Sequence, residues 1–339
     1  MTLPHPPLAR TDLAAWLLCA LGLILVLQLG LLPALLAGLL VYELVHLIAP
    51  RLRARPIDGE SAKLITVALL SILIVASLSA LIVGAIAFFR SDAGSLTALI
   101  NRLAEIIETS RSRLPAWLVA YLPDTAEDLR LAVVAWLREH SEALQGAGAE
   151  LGRALAHILI GMVVGAMVSL REARPNQKLR PLAASLAGRA ERLARSFRNV
   201  VFAQVWIAAV NATLTGLYLA LVLPLLGVDL PLTKTLIAIT FLCGLLPVLG
   251  NLISNTVITI VSLSVSLWVA IGSLAYLVVI HKLEYFLNAR IIGGRIRARA
   301  WELLVAMLAM EAAFGIAGLV AAPVYYAYLK DELSERGLI

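Results

Sequence analysis

Long apolar runs separated by short basic loops dominate the chain from residue 13 onwards. The first run, residues 13–49, is longer than one bilayer thickness, and Gly30 and Pro33 near its middle predict two closely joined helical spans. Because about 20 apolar residues cross a bilayer as a helix, the pattern predicts an all-α polytopic membrane protein with about seven to eight membrane segments. Further complete spans are expected at residues 64–89, 151–170, 199–226 and 263–283.

Two apolar stretches are interrupted in the middle. Residues 232–262 are broken at GLLPVLGN and residues 301–329 at FGIAG. Glycine permits tight or left-handed turns and proline removes a backbone donor, so both stretches are interpreted as re-entrant helical hairpins. For residues 301–329, one tilted span is the alternative. The candidate hinge and re-entrant residues are Pro247, Gly250, Gly293, Gly315 and Gly318.

Residues 91–150 differ in kind from the apolar runs, because they hold nine acidic residues and five arginines. Leucines and isoleucines recur there at helical spacing. We interpret this region as a small helical extracytoplasmic insertion with one apolar face, which lies on the membrane or against neighbouring subunits. It divides the chain into N-terminal membrane spans (1–90), the insertion (91–150) and a C-terminal membrane transport block (151–339).

The charges assign an orientation, since short cytoplasmic loops carry an excess of Lys and Arg. The loops at 50–63, 171–198 and 282–299 are basic, which predicts that they and the N-terminus are cytoplasmic. From the outer side near residue 228, the chain has to reach the cytoplasm by residue 282 in an odd number of crossings. One hairpin followed by one span satisfies this condition, and two complete spans do not.

The loop at 171–198 holds eight basic residues and two acids. Its leucines share a helix face opposite Arg189, Arg192 and Arg195, so the pattern predicts a basic amphipathic helix at the membrane surface. Attraction to anionic lipid headgroups is the expected role, and a regulatory partner is the alternative.

Composition excludes several classes of protein. With 61% hydrophobic and 15% charged residues, the chain is not an ordinary soluble domain. The net charge of +6 lies in loops between apolar segments, so no nucleic-acid partner is predicted. The sequence has no glycine-rich phosphate loop, which argues against an ATP-driven pump, and its histidines lack the spacing of zinc ligands. We therefore expect no enzymatic activity, no cofactor and no metal.

Polar side chains at membrane depth are the candidates for a substrate or ion site, because each needs a partner or water there. Glu311 comes shortly before the break at Gly315, so we expect a site between the two interrupted stretches. The alternatives are structural, since amides often hold membrane helices together and Glu284 can pair with a basic neighbour. The candidates are Glu311, Glu284, Asn288, Gln204, Asn211, Asn251 and Asn255.

The chain resembles the AI-2E transporter family, the autoinducer-2 exporter-like permeases. Its layout is similar over nearly the whole length, and the specific part is residues 200–329. Where the family usually has a proline before the Arg-Ile of its hinge, this chain has Ala289. The stretches that follow the family pattern are the Gln204 span, LLPVLGN at 245–251, LEYFLNARIIG at 283–293 and FGIAGLVAAP at 314–323.

The resemblance implies a secondary transporter or exporter in the inner membrane of a bacterium. Its cargo would be a small polar solute, such as an autoinducer-2-like signal, or an ion, with cation coupling as an option. The alternatives are a monovalent cation/proton antiporter, a passive channel, or a membrane scaffold that docks a partner through residues 91–150. The expected partners are the lipid bilayer and the transported solute or ion. The resemblance also implies a homo-oligomeric ring, with a pentamer as the candidate form.

Overall fold

The computed structural model of the protein describes residues 10–53, 125–171, 179–245, 249–263, 265–296 and 299–338, with six isolated positions between 61 and 72. All regular structure in these residues is helical. A π-helical turn (Tyr218–Val222) and one α-helical turn (Leu223–Leu225) extend the fifth helix. The helices are α1 (Arg10–Gln28), α2 (Leu32–Arg53), α3 (Ala126–Glu139), α4 (Ser141–Arg171), α5 (Pro181–Leu217), α6 (Thr233–Gly244), α7 (Leu249–Leu263), α8 (Leu267–Ile296) and α9 (Ala300–Glu335).

The apolar helices confirm an all-α, multi-pass membrane protein. Three of them have shorter apolar stretches, at Thr233–Gly244, Gly250–Leu263 and Leu267–Leu283. Much of the third predicted span, 64–89, and residues 91–124 of the predicted insertion lie outside the described residues. By length and composition alone, five stretches could cross a membrane: Arg10–Gln28, Leu32–Ala49, Gly148–Leu170, Pro181–Leu225 and Trp301–Glu335.

The first two spans are joined by a tight turn, as Gly30 and Pro33 predict. The N–H of Leu31 donates to the carbonyl of Val26 at 2.8 Å, and that of Gly30 donates to Leu27 at 3.2 Å. This is a Schellman motif, which needs the left-handed φ of 67° that Gly30 adopts. Pro33 lies in the first turn of α2, where its missing N–H leaves no helical hydrogen bond unmade.

Helices α6 and α7 form the first predicted hairpin. A Cβ atom built on Gly250 would lie 1.9 Å from the carbonyl oxygen of Cys243, so the two arms meet backbone to backbone. In a continuous helix, residues seven positions apart would be separated by about 10 Å along the axis. Leu236 of α6 and Ile258 of α7 are buried in one apolar cluster. Pro247, the predicted break, lies outside the described residues.

Helix α9 is a second hairpin, because its path reverses at Gly315 (φ 61°, ψ −146°). A Cβ atom built on Gly318 would lie 1.9 Å from the carbonyl oxygen of Met310. The hydroxyl of Tyr326 donates to Glu302 at 2.7 Å, whereas a straight helix would separate these residues by about 36 Å along its axis. The alternative of one tilted span at 301–329 is therefore wrong.

Two further features differ from the expectations. Helix α8 continues through Gly293 to Ile296, so the chain leaves the helix later than Gly293, and a hinge at this glycine stays a prediction. Helix α4 begins at Ser141, inside the predicted insertion, and runs into the following span without a break. A capping box at Thr125 and Asp128 starts α3, the other described helix of that region.

The chain divides into two compact units. The first unit takes residues 1–71, 151–205 and 286–339, and the second takes residues 72–150 and 206–285. In the first unit, Gly161 lies so close to α2 that a Cβ atom on it would be 2.0 Å from the carbonyl oxygen of Ala34. Such small residues let membrane helices approach closely.

Candidate functional site

Three polar side chains from three helices meet inside the second unit. Asn211 of α5 donates from Nδ2 to Oδ1 of Asn251 in α7 at 2.8 Å. The Nδ2 atom of Asn251 lies 3.2 Å from Nδ1 of His281 in α8. Because an amide nitrogen only donates, His281 accepts at Nδ1 and carries its ring proton on Nε2. We call these three residues the amide–histidine layer.

This layer is buried at a depth where polar groups are costly. Asn211 and Asn251 are each 7% exposed. A buried amide without partners loses its hydrogen bonds to water, so the pairing stabilises the layer. Exchanging one partner for a polar solute keeps the number of hydrogen bonds nearly constant. The layer can therefore bind such a solute at a low free-energy cost.

A pocket of about 520 Å³ adjoins the layer between α7 and α8. Its volume falls within the range typical of small-molecule sites, about 300–1,000 Å³. Among the residues that the structure describes, none of the lining side chains is a carboxylate, a lysine or an arginine. The described lining residues are Asn251, Leu252, Asn255, Thr256, Thr259, Ile260, Leu274 and His281.

A second group of polar side chains lies further along the same three helices. The hydroxyl of Tyr218 lies 3.1 Å from that of Ser273, to which Ser262 donates at 2.9 Å. Tyr276 stacks on Tyr218 at a centroid distance of 4.1 Å and donates to the carbonyl of Leu214 at 2.9 Å. We call Tyr218, Ser262 and Ser273 the hydroxyl layer.

The structure brings three of the predicted candidates together. Asn211 and Asn251 are hydrogen-bonded in the layer, and Asn255 lines the adjoining pocket. Sequence reasoning missed His281, because a histidine without zinc-ligand spacing gave no motif. Its one signal was its position near the end of the apolar stretch Leu267–Leu283, where an ionisable group needs a partner.

The remaining candidates are not part of this layer. Gln204 lies on α5 in the part of the helix that belongs to the first unit. Glu284 and Asn288 lie in α8, and their side chains are outside the described residues. Glu311 is exposed on the first arm of the α9 hairpin, four residues before Gly315. A site between the two hairpins stays a prediction.

The predicted lipid-facing basic surface of α5 is wrong for Arg189. Its side chain is 2% exposed, and its Nε atom lies 3.3 Å from Glu332. Its Nη1 atom lies 3.8 Å from Asp12 and donates to the carbonyl of Ser185 at 3.0 Å. The hydroxyl of Ser185 donates in turn to Asp12 at 2.7 Å.

The neighbouring charges extend this contact into a cluster in the first unit. Arg192 pairs with Glu332 and, at 2.7 Å, with Glu335. Arg336 lies 3.1 Å from Asp12, and the indole of Trp16 donates to Glu332 at 2.7 Å. The cluster therefore ties α1, α5 and the second arm of α9 together. We call it the ionic cluster, and its members are Asp12, Arg189, Arg192, Glu332, Glu335 and Arg336.

Apolar spanning helices, helical hairpins and a hydrogen-bonded polar interior are features of membrane transporters. The chain belongs to the AI-2E family of transporters, because the family model described as "AI-2E family transporter" matches residues 13–335. This match confirms the resemblance found in residues 200–329. No curated protein and no solved structure shows a significant match to the chain.

Proposed function

We propose that the protein is a secondary transporter that carries a small polar solute across the bilayer, with the amide–histidine layer as the binding site. Membership in the AI-2E family supports transport. The observation that carries the choice of site is the hydrogen-bonded chain of Asn211, Asn251 and His281 beside a pocket of about 520 Å³. The absence of a phosphate-binding loop in the sequence supports transport without ATP hydrolysis.

The chemistry of the pocket favours an uncharged or weakly polar solute. Asn255, Thr256 and Thr259 offer amide and hydroxyl groups that donate and accept hydrogen bonds. Leu252, Ile260 and Leu274 provide apolar contacts. This mixture of an apolar wall and a few oriented polar groups is typical of small-molecule sites.

The proposal also includes the orientation of the protein in the membrane, its oligomeric assembly and its cellular location. The basic loops at 50–63, 171–198 and 282–299 support a cytoplasmic N-terminus in a bacterial inner membrane. Family resemblance supports a homo-oligomeric ring, and an autoinducer-2-like signal is one candidate solute.

Counterflow in liposomes tests the binding site. Liposomes loaded with one member of a panel of small polar metabolites should accumulate the labelled form of its substrate. Asn251→Leu should reduce this counterflow at least tenfold, because it removes both hydrogen bonds of the central amide. The matched control is Thr240→Val, since Thr240 is buried in the same unit and donates to the carbonyl of its own helix at Leu236. Counterflow that survives Asn251→Leu in full would place the site elsewhere.

Cation coupling is a second candidate function, favoured by Glu311. This carboxylate is exposed on an apolar helical arm four residues before the reversal at Gly315. An ionisable group at membrane depth exchanges protons or cations when water reaches it. Glu311→Gln should abolish uptake driven by a sodium or proton gradient while leaving counterflow unchanged. Glu284→Gln should weaken driven uptake less. Normal gradient-driven uptake by the Glu311→Gln variant would exclude this residue from coupling.

A further inference from the structure

His281 differs from two other histidines of the chain in the hydrogen bond that its ring makes. In His46 and His140, Nδ1 lies 2.8 and 3.0 Å from the backbone carbonyl oxygen of the residue four positions earlier. A carbonyl oxygen only accepts, so both of these rings donate from Nδ1. In His281, Nδ1 lies 3.2 Å from the amide nitrogen of Asn251 and therefore accepts. Its Nδ1 lone pair is an atom to which a proton can bind.

The hydrogen bonds of the amide–histidine layer point in one direction. Asn211 donates to Asn251 at 2.8 Å, and Asn251 donates to His281. A proton on Nδ1 of His281 turns this acceptor into a donor, so the ring and the amide N–H group of Asn251 would both donate toward each other. Two donors that face each other repel. The arrangement seen in the structure therefore requires a neutral His281.

A half-turn of the two amide groups resolves this conflict. Nδ1 of the protonated His281 then donates to Oδ1 of Asn251, and Nδ2 of Asn251 donates to Oδ1 of Asn211. The layer keeps two hydrogen bonds, and their direction is reversed. Both asparagines are 7% exposed, and buried amides need partners, so we expect the two amides to turn together. The layer therefore has two arrangements, and one proton selects between them.

The pocket gives a proton access to the ring. The side chain of His281 is half-buried and lines the pocket of about 520 Å³. Histidine is the side chain whose ordinary pKa places its change of charge between pH 5 and 8. Water that fills the pocket can therefore exchange a proton with His281 over this range of pH.

Few other ionisable groups lie on the helices that pack with α8 in the second unit. From residue 206 onwards, α5 holds no acidic or basic residue, and α7 holds none over its length. Lys282 follows His281 directly and is exposed, and the side chain of Glu284 lies outside the described residues. The groups on these elements are Tyr218, Lys234 and Cys243 of α6, and Tyr276, Lys282 and Glu284 of α8.

Protonation also changes the wall of the pocket. Asn251 and His281 both line it, so the half-turn exchanges an amide nitrogen and an amide oxygen there, and the imidazolium adds a positive charge. A charged ring is stabilised by water, and an uncharged solute that fills the pocket displaces this water. The proton and the solute therefore each weaken the binding of the other.

We propose that His281 is a proton-binding site whose protonation reverses the hydrogen bonds of the amide–histidine layer and releases the solute. When the solute binds, the proton leaves Nδ1 for water and the ring returns to its neutral form. The reversal rests on the geometry of the layer alone, whereas the exchange of a proton for solute rests on the proposed function.

Solid-state NMR of the protein in liposomes tests the reversal without any transport. With ¹⁵N in the histidine and asparagine side chains, the chemical shift of Nδ1 shows whether it carries a proton. The dipolar coupling between the two nitrogens reports the 3.2 Å contact with Asn251. We expect a bare Nδ1 with this contact at pH 8, and a protonated Nδ1 with a weaker contact at pH 5.

Two controls accompany this measurement. The contact should be missing from the Asn251→Leu variant, which assigns the signal to His281. His46 donates from Nδ1, so its Nδ1 should carry a proton at both values of pH. An Nδ1 of His281 that is protonated at pH 8, or still bare at pH 5, would overturn the inference.

Counterflow with equal pH on both sides of the membrane tests the exchange, because no proton gradient then contributes. The half-saturation concentration for the solute should rise about fivefold or more between pH 8 and pH 5. His281→Asn keeps an acceptor near the position of Nδ1 and cannot titrate, so its half-saturation concentration should be the same at both. His46→Asn is the matched control and should retain the rise, since His46 is a half-buried histidine of the first unit.

The outcomes separate this inference from the proposed function. A reversal seen by NMR together with a half-saturation concentration that does not depend on pH would support the proton site and contradict binding of the solute at the layer. A rise that persists in His281→Asn would overturn the part of His281 in the exchange. If Nδ1 never takes up a proton, the inference fails even when Asn251→Leu abolishes counterflow and the proposed function stands.

Discussion

The two units differ in the kind of polar side chain that they bury. In the first unit, Arg189 is surrounded by Asp12, Glu332 and Ser185, which come from two other helices and from its own. In the second unit, uncharged amides and hydroxyls form layers beside a pocket, and two hydroxyls have no partner among the described residues. The comparison indicates that the charges hold helices in place, and under the proposed function the uncharged groups bind the solute.

The difference follows from the free energy of burial. A buried charge costs several kcal/mol unless it is paired, so breaking one ion pair is expensive and the pairing is effectively fixed. Uncharged groups exchange hydrogen-bond partners at about 1 kcal/mol or less per bond, which suits reversible binding. A transport site therefore benefits from groups such as Asn251 and Thr259, and an anchoring site benefits from Arg189.

The largest expected effect comes from breaking the ionic cluster. Arg189→Met should lower the free energy of unfolding by about 3 kcal/mol, because Glu332 then keeps only Arg192 and Asp12 keeps only Arg336 as an ion-pair partner among the described residues. Arg195→Met is the matched control on the same helix, because Arg195 is 52% exposed and forms an exposed ion pair with Glu191 four residues earlier. Its expected cost is about 1 kcal/mol or less. Thermal unfolding in detergent measures the stability of both variants. Equal losses of stability in Arg189→Met and Arg195→Met would show that the ionic cluster does not anchor the first unit.

A smaller effect is expected at the hairpin tips, one in each unit. Gly250→Ala and Gly318→Ala should each lower the free energy of unfolding by about 1–3 kcal/mol, because the added methyl group overlaps a backbone carbonyl. Gly22→Ala is the control, since nothing lies within 4 Å of its Cβ position and alanine favours the helix of α1. If the tip variants are as stable as the Gly22→Ala variant, the arms do not meet where the structure places them.

Much of this architecture could be predicted from the sequence. The GLLPVLGN and FGIAG interruptions identified both hairpins, because proline and glycine limit local backbone geometry directly. Asn251 and Asn255 were found as polar residues after a break. The ionic cluster was missed because its members are far apart in sequence, as Asp12 and Ser185 are at 173 residues. Helical spacing shows which residues share a face, and it does not show which distant acid meets Arg189.

The most direct test of the account measures the half-saturation concentration for the transported solute in two variants. Asn255→Ala changes the pocket of the second unit, and Glu335→Gln changes an acid of the ionic cluster that is 59% exposed. We expect Asn255→Ala to raise the half-saturation concentration about tenfold, roughly the loss of one hydrogen bond to the solute. Glu335→Gln should leave it unchanged. A change with Glu335→Gln and none with Asn255→Ala would contradict the account, because the solute would then bind in the charged region rather than in the uncharged one.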